Sequence, residues 1–186
     1  MGVAVMEHES NQKEFNIEDT DICFESIYKK PYFPTEMFDE IKLANILFIP
    51  EEDRYEQGDV LFPEITSELF SYMRENASNA AKIDIAISDD NFEQLELHSA
   101  LIELGTFLCD PLVFNVLCSM IASFLYNKIK KLHRDSDNTS ARINIITKER
   151  NNNKNIKISY KGPVSGINDA MKQAAKIVSI NNGSDD

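Results

Sequence analysis

The stretch Asp110 to Leu132, "DPLVFNVLCSMIASFLYNKIKKL", constrains this chain more than any other. Asp110 is a cap and Pro111 fits a first helical position, so the run starts as a helix. Lys128, Lys130 and Lys131 close it where the helix dipole favours cations. In between it is apolar on most faces, with small polar residues every fourth position: Asn115, Ser119, Ser123 and Asn127. A helix of this kind is buried in a protein core or in a bilayer. A membrane span needs about 20 predominantly apolar residues, and extension backwards meets Asp110 and Pro111. The reading is a central core helix. Its polar seam lets another helix approach closely, including a copy of itself. Membrane association through residues 111–132 is the further alternative.

The segment after that helix reads as a β-hairpin. Ile143 and Ile145 alternate on one arm, Ile156, Ile158 and Tyr160 on the other, with an Asn-rich turn between them. Arg142, Lys148, Arg150, Lys154, Lys157 and Lys161 make the hairpin locally basic. A solvated face explains this best, a protein-binding edge next, and nucleic acid least. The chain then runs through "SYKGPVSGINDAM" into a helix with the stripe Ile167, Met171, Ala174 and Val178.

Strand, glycine-containing loop and helix is an order that also cradles phosphates. Gly162 suits the exit from a strand, Pro163 fixes the turn, and Ser165 is placed to cap the helix. A structural corner therefore explains every residue. The binding alternative uses Lys161, Gly162, Ser165 and Gly166, and predicts that Gly166→Asp abolishes ligand binding while the fold survives. Phosphate-binding fingerprints need more glycines or a Lys-Ser pair, and neither is present.

The first half is shorter-wavelength. Ile22, Phe24 and Ile27 suggest a short strand, and Thr35 a cap for a helix through Phe38 and Ile41. "ANILFIP" reads as a buried strand and "EEDRYEQGDVLF" as a surface loop. Pro63 opens a helix carrying Ile65, Leu69, Tyr72 and Met73 on one face. "KIDIAIS" alternates as a half-buried strand, with Asp84 opposite its isoleucines. "NFEQLELHSALIELGTFLCD" suggests a strand running into a short helix capped by Ser99. The expected class is α+β: a small mixed sheet with a C-terminal hairpin, packed on the long buried helix and the C-terminal helix.

Length, 186 residues, suffices for a core without disulfides. The expected division is a disordered tail 1–16, one α+β domain 17–181, and a tail 182–186. Within the domain, 17–100 is acidic, with twenty acids against six bases. The second half, 101–181, is mildly basic, with six acids against twelve bases. The overall charge of -12 argues against general binding of nucleic acid or anionic membranes. Cys23, Cys109 and Cys118 are unpaired by spacing and sit among apolar residues, which suggests reduced thiols in the cytoplasm. The start lacks a signal-peptide pattern, and Met6 suits a natural start with residues 1–5 as a scar.

Catalytic constellations are sparse. His8, His98 and His133 lie far apart and none has metal-ligand spacing with another His or Cys. His98 beside Ser99 is the one to watch. "EEDRYE" and "SDDNFE" read as solvated loops, without calcium-loop spacing. No catalytic residue, metal or cofactor is expected.

The order of long apolar helix, basic hairpin, "YKGPVSGI" corner and final helix, from Ala100 to Ile180, resembles small bacterial accessory proteins. These are effector-associated modules of conflict and phage-defence systems. The resemblance implies a non-catalytic regulator and carries no catalytic residue over. The leading expectation is a non-enzymatic cytosolic interaction protein, a regulatory subunit that self-associates and binds a protein encoded nearby. Its interface residues would be Asn115, Ser119, Ser123, Asn127, Arg150 and Lys154. A small-ligand or nucleotide sensor at the corner is the alternative.

Overall fold

A computed structural model describes residues 12–52, 58–96 and 100–178. The elements run β1 (Glu14–Asp19), α1 (Phe24–Tyr28), α2 (Phe38–Ile41), β2 (Ile46–Ile49), β3 (Glu51–Glu52), β4 (Val60–Pro63) and α3 (Thr66–Asn76). They continue with β5 (Ile83–Ile85), β6 (Gln94–Leu95), β7 (Ile102–Cys109), α4 (Phe114–Lys131), β8 (Ser140–Lys148), β9 (Asn155–Pro163) and α5 (Ile167–Val178). The fold is α+β. A six-stranded mixed sheet has the order β1-β9-β8-β7-β2-β5, and β3, β4 and β6 form a small second sheet.

Parallel β7 and β8 are joined across α4, and β8 turns back into β9 as an antiparallel hairpin. The hairpin is the one read from the sequence, since Ile143, Ile145, Ile156, Ile158 and Tyr160 are all buried. They line one sheet face beneath Leu69 and Met73 of α3, Leu117, Ile121 and Phe124 of α4, and Met171 and Ala174 of α5. A smaller cluster on the opposite face packs Ile27, Phe33 and Ile41 over Leu47, Ile49, Leu108 and Ile146.

Several expectations change. Residues 14–16 belong to β1, paired with β9, because Phe15 and Ile17 alternate inward and pack on the core. Of the expected tails 1–16 and 182–186, residues 1–11 and all of the second lie outside the described residues, as do 179–181. Phe24 and Ile27 sit on helix α1, not a strand; the Ser26 hydroxyl accepts from Cys23 N–H and donates to Cys23 O, closing a helical first turn. Pro63 ends β4 and α3 starts at Thr66. No helix follows Ala100, because Ile102 to Cys109 is a central strand; His98 and Ser99 lie outside the described residues.

The long helix starts as expected, with Asp110 Oδ1 accepting from Leu112 N–H at 2.8 Å. It is buried on one side only. Asn115, Ser119, Ser123 and Asn127 are exposed, so the polar seam faces outward and no helix among the described residues lies against it. Pro111–Lys131 is long and apolar enough to cross a membrane by length and composition, yet Phe114, Leu117, Phe124 and Leu125 are buried in the core.

Asp84 of β5 pairs with Leu47 at the edge of the smaller cluster. Burial pushes its carboxyl up, and Glu40 adds to this, while the Ile85 N–H and Arg74 oppose it. An acid with a raised folded pKa costs stability above that pKa and loses the cost as pH falls toward its unfolded value. Asp84→Asn is therefore expected to raise Tm at neutral pH and to gain less near pH ~4. Thermal melts at the two pH values check this; a larger gain in acid would contradict it.

Candidate functional site

At the corner Ser159 to Met171, Tyr160 is buried, and its hydroxyl donates to the Pro163 carbonyl at 2.6 Å. A Cβ at Gly166 would stand 2.6 Å from that hydroxyl oxygen, and one at Gly162 would meet it at 3.2 Å and Lys13 Cα at 3.1 Å. Both glycines make room for a tyrosine. The backbone donors are also engaged: Val164 N–H with Thr139 O at 2.8 Å, and Ser165 N–H with Ser136 O at 3.1 Å. Ser165 does not cap the turn; Pro163 holds that position, without a side-chain bond. Lys161 alternates onto the other sheet face, opposite Arg142 and Glu14. The four residues proposed for an anion thus do not converge, and Gly166→Asp would press its Cβ on the Tyr160 hydroxyl whether or not a ligand binds.

The hairpin tip is likewise tied down. Lys154 Nζ pairs with Asp19 at 3.2 Å, and Arg150 N–H donates to Ile177 O at 3.0 Å. Arg150 and Lys154 therefore brace β1 and α5, away from the outward seam of α4.

A cavity of about 590 Å³ opens instead at the carboxyl ends of the parallel pair β7 and β8. Leu108, Cys109, Ile146 and Thr147 come from those strand ends. Cys23, Phe24 and Tyr28 of the α1 segment form one wall, and Leu43, Ala44 and Asn45 another. Glu25, Lys42, Asp110 and Lys148 carry charge around it. The volume falls in the range of small-molecule sites, as does the mixture of an apolar lining with a few polar groups.

Thr147 is 3% exposed, and its Oγ1 is buried without a hydrogen-bond partner. The β8 alternation puts it on the row of Ile143 and Ile145, paired with Ile156, where an apolar side chain would be expected. That row faces away from Leu108, Ile146 and the α1 wall, so the hydroxyl is closed off from the cavity. A buried hydroxyl without a partner costs about 1–3 kcal/mol.

The surrounding charges are largely matched. Lys42 pairs with Asp39, and Asp110 accepts from Leu112. Glu25 is held below the usual carboxylate range, first by its own backbone N–H and then by the Cys23 thiol, with Lys148 contributing. Burial pushes the Cys109 thiol well up and the Cys118 thiol to about 12, so both remain protonated at neutral pH. Neither is set up as a thiolate nucleophile. Among the described residues, no group of three His, Cys, Asp or Glu side chains is placed to hold a metal ion.

Comparison with family models, curated proteins and solved structures found no match. The site therefore rests on its own geometry. Sequence reading missed it because its parts come from five separated segments.

Proposed function

We propose that the chain is a regulatory module that binds a small organic molecule in the cavity at the carboxyl ends of β7 and β8. The cavity itself carries the reading: about 590 Å³ walled by apolar side chains from α1, the segment before β2 and the ends of β7 and β8, with a few polar groups among them. The lining favours a ligand with an apolar body against Phe24, Leu43 and Ile146 and a hydrogen-bonding head among Glu25, Lys148 and Asn155. Matched charges at the wall favour a neutral or zwitterionic molecule over a polyanion. The reading keeps the regulatory role expected from the sequence and moves the ligand from the corner to this cavity. Three free thiols, one of them fully buried, support a reducing compartment.

Differential scanning fluorimetry against free amino acids, nucleosides and small aromatic acids tests it. A ligand at a hundredfold its Kd adds about 2.7 kcal/mol, which for a chain of this size is a Tm rise of roughly 5–10 °C. Ala44→Phe, which fills the cavity, should remove the response. A flat response to the whole panel, with no small molecule retained in native mass spectra, would reject the reading.

A further inference from the structure

The outward face of α4 has a pattern that the polar seam alone does not show. Leu112 is 78% exposed and Tyr126 67%. Leu112, in the 3-10 turn that leads into α4, and Asn115, Ser119, Ala122 and Tyr126 on α4 itself follow one another at spacings of three, four, three and four. That is the spacing of a coiled-coil seam over two heptads, with small residues in the middle and large ones at the ends. Ser119 is the midpoint, seven residues from each end.

We propose that this face is the interface of a two-fold dimer in which a second copy packs its α4 antiparallel, with Ser119 on the axis. A two-fold contact is self-complementary, so each residue meets its mirror position. Leu112 then meets the partner's Tyr126, and the small side chains of Ser119 and Ala122 let the helices approach at the centre.

Charge selects the antiparallel arrangement. Residues 111–127 carry no charge, Asp110 stands at the start, and Lys128, Lys130 and Lys131 stand at the end. Antiparallel packing brings the lysine-rich end of one helix to the Asp110 end of the other and opposes the two helix dipoles. Parallel packing would gather six lysines at one end. One helix per copy is a small interface, so the dimer is concentration-dependent. The interface is independent of the cavity, and either can fail alone.

Sedimentation equilibrium on the full chain tests the proposal. The expected result is a species of twice the 21.2 kDa chain mass that dissociates on dilution. Ser119→Arg, at an exposed position that leaves folding intact, should weaken association at least tenfold. In a Cys118→Ala background, Ser119→Cys should cross-link to its own copy under mild oxidation. Asn115→Cys should not, because its copy lies about 12 Å along the helix, beyond disulfide reach. A monomer at about 100 µM, a binding energy too weak to matter, overturns the proposal. So does a dimer indifferent to Ser119→Arg, or equal cross-linking at both positions. A monomer that floats with phosphatidylcholine vesicles would assign the face to lipid instead.

Discussion

Gly166→Ala is expected to destabilise the protein by about 1–3 kcal/mol, the usual cost of forcing a methyl group into a filled site. The added carbon would sit 2.6 Å from the Tyr160 hydroxyl oxygen and 3.7 Å from its ring carbon Cζ. The clash is therefore with one atom. Tyr160→Phe removes that atom, and also the bond to Pro163 O, so by itself it costs about 1–3 kcal/mol through the carbonyl left behind. In the double variant the methyl group meets ordinary van der Waals distance. The two costs should fall short of adding by at least about 0.5 kcal/mol, the coupling expected of groups in contact. Denaturant melts of the four proteins measure this. Additive effects would mean that the corner is not built around the tyrosine. Ser165→Ala is the useful contrast: with no cap bond to lose, it should change little.

Residues that repeat on one element were the legible ones. The hairpin, the stripe of α5 and the Asp110 start of α4 are each set by local periodicity or by one capping group, and all were readable. Phe24 and Ile27 misled because three apolar positions fit a strand as well as a short helix; the Ser26 bond to Cys23 decides. Pro63 misled because a proline that suits a first helical position also suits the end of a strand. The seam of α4 was legible as small and polar, but its direction was not. Which side of an apolar helix faces the sheet depends on α3, α5 and the strands beneath, and Leu112 and Tyr126 join the seam only once that side is known. The corner's glycines owe their place to Tyr160, a residue with no part in a phosphate-loop pattern. The cavity was the least legible, since Cys23, Ala44, Cys109 and Thr147 meet only when the order β8-β7-β2 is known.

Thr147→Val should make the protein more stable and leave any response of the cavity to a ligand in place. Valine has nearly the shape of threonine, and β8 accepts a β-branched residue well. The substitution removes a buried hydroxyl that has no partner, so the expected gain is about 1–3 kcal/mol. At roughly 2–4 °C per kcal/mol, calorimetry should see Tm rise by several degrees. The rise produced by a ligand of the cavity should persist, because the hydroxyl is closed off from it. Thr66→Val is the parallel case: Thr66 is 1% exposed, its Oγ1 is equally without a partner, and it does not line the cavity. It should gain stability in the same way. Two orphaned hydroxyls in one small core fit a chain that is stable enough rather than as stable as it could be. If Thr147→Val melts lower than the parent, the hydroxyl already has a partner within the fold.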